Sequence, residues 1–491
     1  MKKKQAAIIG AGIAGLASAI RLRAQGHEVS VFEANNYPGG KLTAFEKMGY
    51  RFDMGPSLFT MPHLIEDLFK VAKKPIHSYF KYKKKKNICT YFFEDGTYFE
   101  APADQKEFAK KAEQTFDVSE KELANYLDQS KKKYDLTAPL FLEKSLHKTS
   151  TYLSKKTLKA AINIGVLDLN KSLSALNEKT FRDPKLVQFF NRFATYNGSS
   201  PYKTPGIMSM IPHLEQHYGT YFPEGGMHQI TLSLFNLAKD IGVKFEFNSP
   251  VDEIITQDNR TTGLLVNQKR IQADLVISNA DIVPTYRRLL PKHKAPERTL
   301  SQPRSSSALI FYWGIKKTFP QLDLHNIFFS KDYQKEFEHI FETQSVYDDP
   351  TIYLNISSKD APKDAPKGCE NWFTMINVPN NTGQDWDTVI ERSRTKIIDK
   401  LSRLLKQDIT ELIEQESILD PRTIESKTQS YQGALYGASS NNKFAAFLRH
   451  PNFKSNLQNL YFCGGSVHPG GGIPLCLLSG KIVADLIEKN E

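Results

Sequence analysis

Three glycines, Gly10, Gly12 and Gly15, stand between an apolar run and a helix-forming run. They limit what the N-terminal part of the chain can fold into more than any other feature. Ala6-Ala7-Ile8-Ile9 reads as a buried strand and residues 16–25 as a helix. In such a strand–turn–helix unit the first glycine allows the tight turn and the second lets backbone approach a pyrophosphate. The third lets the helix pack on the strand. Ile13 and Ala14 open the helix, whose free N–H groups and positive dipole face the phosphates. Residues 26–32 read as the second strand, ending at Glu33, 18 residues after Gly15. With Ala34 beside it, that carboxylate is placed for both hydroxyls of an adenosine ribose, and an acid there disfavours a 2′-phosphate.

Neither a repeat nor a long low-complexity tract interrupts the 491 residues, a length that suggests about two or three domains. Hydrophobic residues make up 40% and charged residues 24%, which argues against global disorder. The formal net charge of +11, with a pI ≈ 9.1, favours anionic partners. Lys81, Lys83, Lys84, Lys85 and Lys86 form the densest basic run, and Lys131, Lys132 and Lys133 a second. Solvated faces account for both; attachment to anionic lipid headgroups is the sharper alternative. No motif for DNA or RNA is present, so no nucleic-acid partner is expected. Cys89, Cys369, Cys463 and Cys476 form neither a CxxC pair nor a zinc-ligand set. No metal is therefore expected, and a reducing, cytoplasmic compartment fits best. The apolar stretch over residues 6–20 mimics a signal peptide, but its ordered glycines mark it as strand, turn and helix. No apolar run reaches the roughly 18 residues of a spanning helix. Membrane contact is expected to be peripheral, at the inner face of the cell membrane.

After a first α/β stretch, to about residue 75, residues 88–99 read as a hairpin around Asp95-Gly96. Residues 104–217 read as mostly helical. The α/β texture returns near residue 221, with a helix over about 228–241. Short strands follow over 243–247, 251–255, 263–266 and 273–279. Strands and helices mix over 300–415. The last segment is a strand ending at Cys463, a glycine-rich turn and a helix. The fold class is α/β, as an α+β two-domain chain. A Rossmann-like dinucleotide-binding domain is assembled from residues 1–75, 220–295 and 416–491. An inserted mixed sheet-and-helix domain, from residues 76–219 and 296–415, would hold the substrate and meet the membrane.

Further motifs narrow the dinucleotide. Gly39 and Gly40 permit close backbone approach to a ligand, and Lys41 is placed to neutralise phosphate. Phe52-Asp53-Met54-Gly55-Pro56-Ser57 comes next. Asn197-Gly198-Ser199-Ser200-Pro201-Tyr202, Tyr221-Phe222-Pro223-Glu224-Gly225-Gly226-Met227 and Asp274-Leu275-Val276-Ile277-Ser278-Asn279-Ala280-Asp281 follow. The C-terminal run is Leu460-Tyr461-Phe462-Cys463-Gly464-Gly465-Ser466-Val467-His468-Pro469-Gly470-Gly471-Gly472-Ile473-Pro474. Together these resemble the FAD-dependent amine oxidase and phytoene desaturase superfamily, and within it the bacterial-type carotenoid desaturases, over nearly the whole chain. The resemblance implies FAD as cofactor. It would be held by Gly10, Gly12, Ile13, Ala14, Gly15, Glu33, Ala34, Gly40, Lys41, Gly55, Pro56, Ser57, Val251, Asn279, Ala280, Gly465, Ser466, Gly472, Ile473 and Pro474. The helix from about Leu475 would aim its positive end at the flavin.

The resemblance also implies a carotenoid substrate that loses a hydride from an allylic carbon and a proton from its neighbour. The protein would orient the polyene and exclude water. Cys463-Gly464-Gly465-Ser466 and Leu475-Cys476 depart from the usual flavin-proximal turn. Cys463-Gly464-Gly465-Ser466 and Pro469-Gly470-Gly471-Gly472-Ile473-Pro474-Leu475 resemble hydroxycarotenoid 3,4-desaturases more than phytoene desaturases, so the expectation is a 1′-hydroxycarotenoid 3,4-desaturase. The alternatives are a phytoene or diapophytoene desaturase, a flavin-dependent carotenoid isomerase and a non-enzymatic prenyl-lipid carrier. No triad or catalytic base is identifiable, and His468 reads as a structural hydrogen bonder. Phe189, Phe190, Phe193, Tyr196, Phe311, Tyr312, Trp313, Phe328 and Phe329 read by default as core; the alternative is the wall of a polyene tunnel.

Overall fold

The structure is a computed structural model that describes residues 3–148, 151 and 164–489. Five parallel strands form its first sheet, in the order Leu460–Phe462, Leu275–Ser278, Gln5–Ile9, Glu28–Phe32 and Lys244–Glu246. Parallel neighbours cannot be joined by a hairpin, and the long crossovers are where the rest of the chain is inserted. Side chains alternate between the two faces, as the strand period of two requires. Ala6, Ile8, Val31 and Ile277 share a core with the helices Ile13–Ala24, His228–Asp240 and Ile473–Lys489. Ala7, Ile9, Phe32 and Val276 share another with Ile254, Leu264 and Val266. These last three belong to a three-stranded antiparallel sheet, Val251–Gln257, Arg260–Val266 and Lys269–Gln272. Both faces are covered, so the strands read as continuous apolar runs rather than alternating ones.

The helix Ile13–Ala24 is buried from Ile13 to Leu22. The helix Ile473–Lys489 crosses it at Gly480, where a Cβ would stand 2.9 Å from both the Ala14 carbonyl oxygen and the Ala17 Cβ.

The second sheet has seven strands: Ile413–Leu419, Ser307–Ile315, Glu370–Val378, Ile352–Ile356, His325–Phe328, Asn87–Phe92 and Tyr98–Pro102. His325–Phe328 and Asn87–Phe92 run parallel and the other pairs antiparallel. Ser307–Ile315 is buried at all nine positions. Phe311 and Trp313 pack toward the helix Trp386–Leu405, and Tyr312 packs with Tyr50 and Phe52. The expected hairpin closes where the Phe93 N–H donates to the Thr97 carbonyl and the Thr97 N–H to Asp95 Oδ1. Among the described residues of 104–217 the texture is helical: Gln105–Thr115, Glu120–Thr137, Leu173–Thr180 and Pro184–Asn191. The second of these begins with a capping box between Ser119 and Glu122.

Helical rotation splits the lysine run on that helix. Lys131 and Lys132 face outward, but Lys133 is 3% exposed and pairs with Asp168 at 2.7 Å. Lys133 therefore does not belong to a solvated face.

Candidate functional site

The carboxyl ends of the parallel strands converge, as ligand sites in such sheets require. Gly10 follows Gln5–Ile9, Glu33 follows Glu28–Phe32, Asn279 follows Leu275–Ser278 and Cys463 follows Leu460–Phe462. Asn279 wedges the first and last glycine loops together. Its Nδ2 donates to the Gly10 carbonyl at 3.2 Å. A Cβ on Gly12 would meet that nitrogen at 2.8 Å, and one on Gly464 would meet Asn279 Oδ1 at 2.9 Å. A Cβ on Gly15 would stand 2.2 Å from the Gly10 carbonyl oxygen, so only glycine lets the helix sit this close to the strand.

The helix Ile13–Ala24 starts at Gly12 with no side-chain cap and no acidic residue in its first turn. Its positive end is left for an anion. Glu33 is buried; its Oε2 accepts from the Ala11 N–H at 2.7 Å, and its Oε1 accepts from Asn35 N and Nδ2 at 2.9 and 3.0 Å. An ionised carboxylate has about four acceptor positions, so Oε2 keeps room for another donor.

Two motifs far apart in sequence form one joint. Asp53 accepts from the Met227 and His228 N–H groups at 2.8 and 2.9 Å and pairs with Arg51 at 2.7 Å. It thereby fastens Phe52–Ser57 to the start of the helix His228–Asp240, and Thr231 of that helix donates to the Leu42 carbonyl just after the glycine pair. Lys41, expected beside a phosphate, lines the cavity and donates to the carbonyls of Ala434 and Leu435 at 3.1 and 2.9 Å. Burial pushes its pKa down while Asp281 acts the other way, and burial pushes Asp281 up. Arg449, which no motif singles out, anchors the C-terminal turn by donating to the carbonyls of Tyr436, Ala438 and Gly465. Ser466 Oγ accepts from the Ile282 N–H at 2.9 Å. His468 bonds the Lys144 carbonyl at 2.8 Å, the structural role its sequence context suggested; burial lowers its pKa to about 4.

Apart from Asp53 and the helix His228–Asp240, which brace it from behind, these elements border one cavity of about 880 Å³, at the large end of small-molecule sites. Every cofactor-binding residue expected from the sequence lines it except Gly15, which lies behind the loop. At one end the lining includes Glu33, Asn35, Val251 and the exposed Arg288 and Lys427. The cavity continues past the C-terminal turn to residues of the seven-stranded sheet and of the helical segment 104–217. There Ile88, Leu140, Leu142, Leu167, Met208, Met210, Ile211, Leu214, Ile310 and Ile327 line it, and the exposed Asn442 and Lys443 also belong to its lining. A tunnel of this kind was the alternative reading of the aromatic clusters. Of those nine aromatics only Tyr196 borders it; the rest are core, as the default reading had it. The uncapped helix end, the glycine-lined floor and the open space beside Gly472, where a Cβ would meet nothing within 4 Å, suit an elongated dinucleotide.

Such a fold and site define an enzyme of the cofactor-binding α/β class, in which a glycine-lined pocket is continuous with an apolar chamber. Residues 13–488 match the family described as flavin containing amine oxidoreductase, and the chain belongs to that family. It is an oxidoreductase, and its cofactor is a flavin. A 1-hydroxycarotenoid 3,4-desaturase of Flavobacterium sp. (strain P99-3) is 60% identical over 484 residues, 99% of each chain. A 4,4'-diapolycopene oxygenase of Methylomonas sp. is 34% identical over 98% of this chain and 97% of its own. A solved oxidoreductase from Methanosarcina mazei superposes with a TM-score of 0.63 at 16% identity, over 99% of this chain and 100% of that one, and shows the shared fold.

Proposed function

We propose that the chain is an FAD-dependent carotenoid desaturase that forms the 3,4 double bond of a 1-hydroxycarotenoid. The 60% identity to a relative of that name, at full length, carries this reading. The continuous cavity supports it: a dinucleotide floor leads into an apolar chamber fit for a hydrocarbon. FAD is favoured over a smaller flavin because the cavity extends to Glu33, the ribose-binding position of a dinucleotide site. When bound, FAD supplies the acceptor for the two electrons removed. The chain's own residues do the rest. The Ile13 helix end and Glu33 would hold its phosphates and ribose, the turn around Gly465 and Gly472 would support its ring end, and the apolar walls would orient the polyene and exclude water.

Incubating flavin-loaded protein and liposomes with a 1-hydroxylated carotenoid, and separately with phytoene, tests the reading by product mass and absorbance. The expected product of the hydroxylated substrate has lost two hydrogens. Conversion of phytoene alone refutes the substrate assignment. Unchanged mass with altered absorbance indicates an isomerase, added oxygen an oxygenase, and a flavin-free protein a carrier.

A carotenoid dissolves in lipid, so the protein is proposed to load from the cytoplasmic face of a membrane. Phe444, 55% exposed with Lys443 over its ring at 5.3 Å, follows Asn442 and Lys443 of the cavity lining. Lys83 and Lys85 are matched by Asp360 and Asp323, which leaves Lys81, Lys84 and Lys86 as the exposed cations of that run with no ion pair among the described residues. Replacing Phe444 by Asp is expected to weaken liposome binding more than replacing the three lysines by Gln; the opposite order in a flotation assay refutes this geometry.

A further inference from the structure

The apolar chamber contains a polar fixture that a hydrocarbon has no use for. Arg192 and Glu215 are 8% and 2% exposed, and both line the cavity. Arg192 Nη2 donates to Glu215 Oε2 at 3.0 Å and Oε1 at 3.3 Å, and the Tyr196 hydroxyl donates to Oε1. The guanidinium lies 4.3 Å from the Phe193 ring centroid and 5.4 Å from that of Tyr91. Met208, Met210, Ile211 and Leu214 stand around it on the cavity wall.

Taking two charges out of water is costly, and a buried pair is often no more stable than an apolar replacement. This one is also incomplete. Arginine carries five N–H donors, yet among the described residues only Nη2 finds acceptors; Nε is buried without a partner, and Nη1 makes no hydrogen bond. The pair is neutral overall, so its spare donors suit a neutral oxygen rather than a phosphate or carboxylate. An alcohol fits both halves: its oxygen can accept from Arg192 and its hydrogen can go to Glu215 Oε2. The surroundings continue the polar path toward the cofactor segment. Ser57 Oγ bonds the Tyr353 hydroxyl at 2.8 Å, and that hydroxyl bonds His325 Nδ1 at 2.7 Å. Arg192 lies close enough to act electrostatically on both Tyr353 and His325.

We propose that Arg192 and Glu215 form the subsite that receives the hydroxyl of an oxygenated carotenoid and thereby set which carbon–carbon bond is presented for oxidation. The inference rests on the carotenoid reading above. A polyene repeats along its length and can slide in an apolar tunnel, whereas a single anchored oxygen fixes its register. In a 1-hydroxycarotenoid the hydroxyl-bearing carbon is two bonds from C3, so the anchored end is also the reacting end.

The test compares kcat/KM for a 1-hydroxylated carotenoid and for the same carotenoid without the hydroxyl. The proteins are wild type, the double variant R192M/E215Q and R192K, with flavin content measured in each. The double variant leaves no unpaired charge, and the glutamine that replaces Glu215 can still accept from Tyr196. Wild type is expected to prefer the hydroxylated compound. The double variant is expected to lose about tenfold to a hundredfold of that preference, all of it on the hydroxylated substrate. R192K, which keeps the charge but has no second guanidinium nitrogen, loses it in the same direction and carries the test if the double variant does not fold. Equal losses on both substrates, with the ratio unchanged, overturn the proposal and leave the pair a structural one. A wild type that desaturates both equally also overturns it, while one that desaturates neither overturns the desaturase reading instead.

Discussion

Replacing Glu33 by Gln tests the cofactor end of the site most directly. The carboxylate takes three hydrogen bonds, one from Ala11 in the glycine loop and two from Asn35. A carboxamide has one acceptor oxygen, so in either orientation its NH2 group faces an N–H. If the oxygen serves Asn35, the Ala11 N–H loses its acceptor, and a buried unmet donor costs about 1–3 kcal/mol. The ribose would lose a charge-assisted bond as well, worth about 1.5–3 kcal/mol, or about tenfold to 150-fold in Kd. Two measurements separate these effects. Thermal unfolding of the deflavinated protein reads the loop term, and titration of FAD into the same protein by fluorescence quenching reads the ribose term. The expected result is a lower melting temperature without flavin together with weaker FAD binding. If E33Q lowers the melting temperature but binds FAD as tightly as wild type, Glu33 only holds the loop and the ribose assignment is wrong. If neither changes, the hydrogen-bond reasoning itself fails.

Gly480→Ala would force a methyl group against the Ala14 carbonyl oxygen and the Ala17 Cβ, each 2.9 Å away. Such overpacking typically costs about 1–3 kcal/mol, and it should loosen flavin retention because Ala14 also lines the cavity; an unchanged flavin stoichiometry and melting temperature refute it. Burial lowers the pKa of His325, His450 and His468 to about 4 from an ordinary 6.5. The unfolded chain therefore binds more protons than the folded one between these values. Stability contributed by the neutral rings is full above pH 6.5, falls as pH drops toward 4, and is lost below it, by at most about 3 kcal/mol per ring. Melting temperatures from pH 7 to 4.5 should fall accordingly, and His468→Gln should flatten part of the slope. A flat profile in wild type contradicts the burial argument.

The features legible in the sequence are those whose physics is local. A strand, a glycine turn and a helix N-terminus can be read from consecutive residues, because backbone N–H groups bind the phosphates and glycine is needed where the backbone must come close. The hairpin at Asp95-Gly96 and the helix His228–Asp240 were legible for the same reason. What the sequence could not reveal depended on pairings across hundreds of residues. Nothing near Lys41 in the sequence shows that the fold puts the Ala434 and Leu435 carbonyls on its ammonium. Lys133 reads as solvated until its helix turns it onto Asp168. Asp53 and the glycine pair before Met227 are separate motifs in sequence and one joint in space. Arg192 and Glu215 carry no motif at all, and only tertiary packing makes them a polar point inside an apolar chamber. Sequence by itself determined the strand–glycine turn–helix unit and the family of its owner, because the residues that build that unit are chain neighbours. The chamber and its polar anchor were decided by the tertiary structure alone, because their walls come from strands and helices that meet only when the chain has folded.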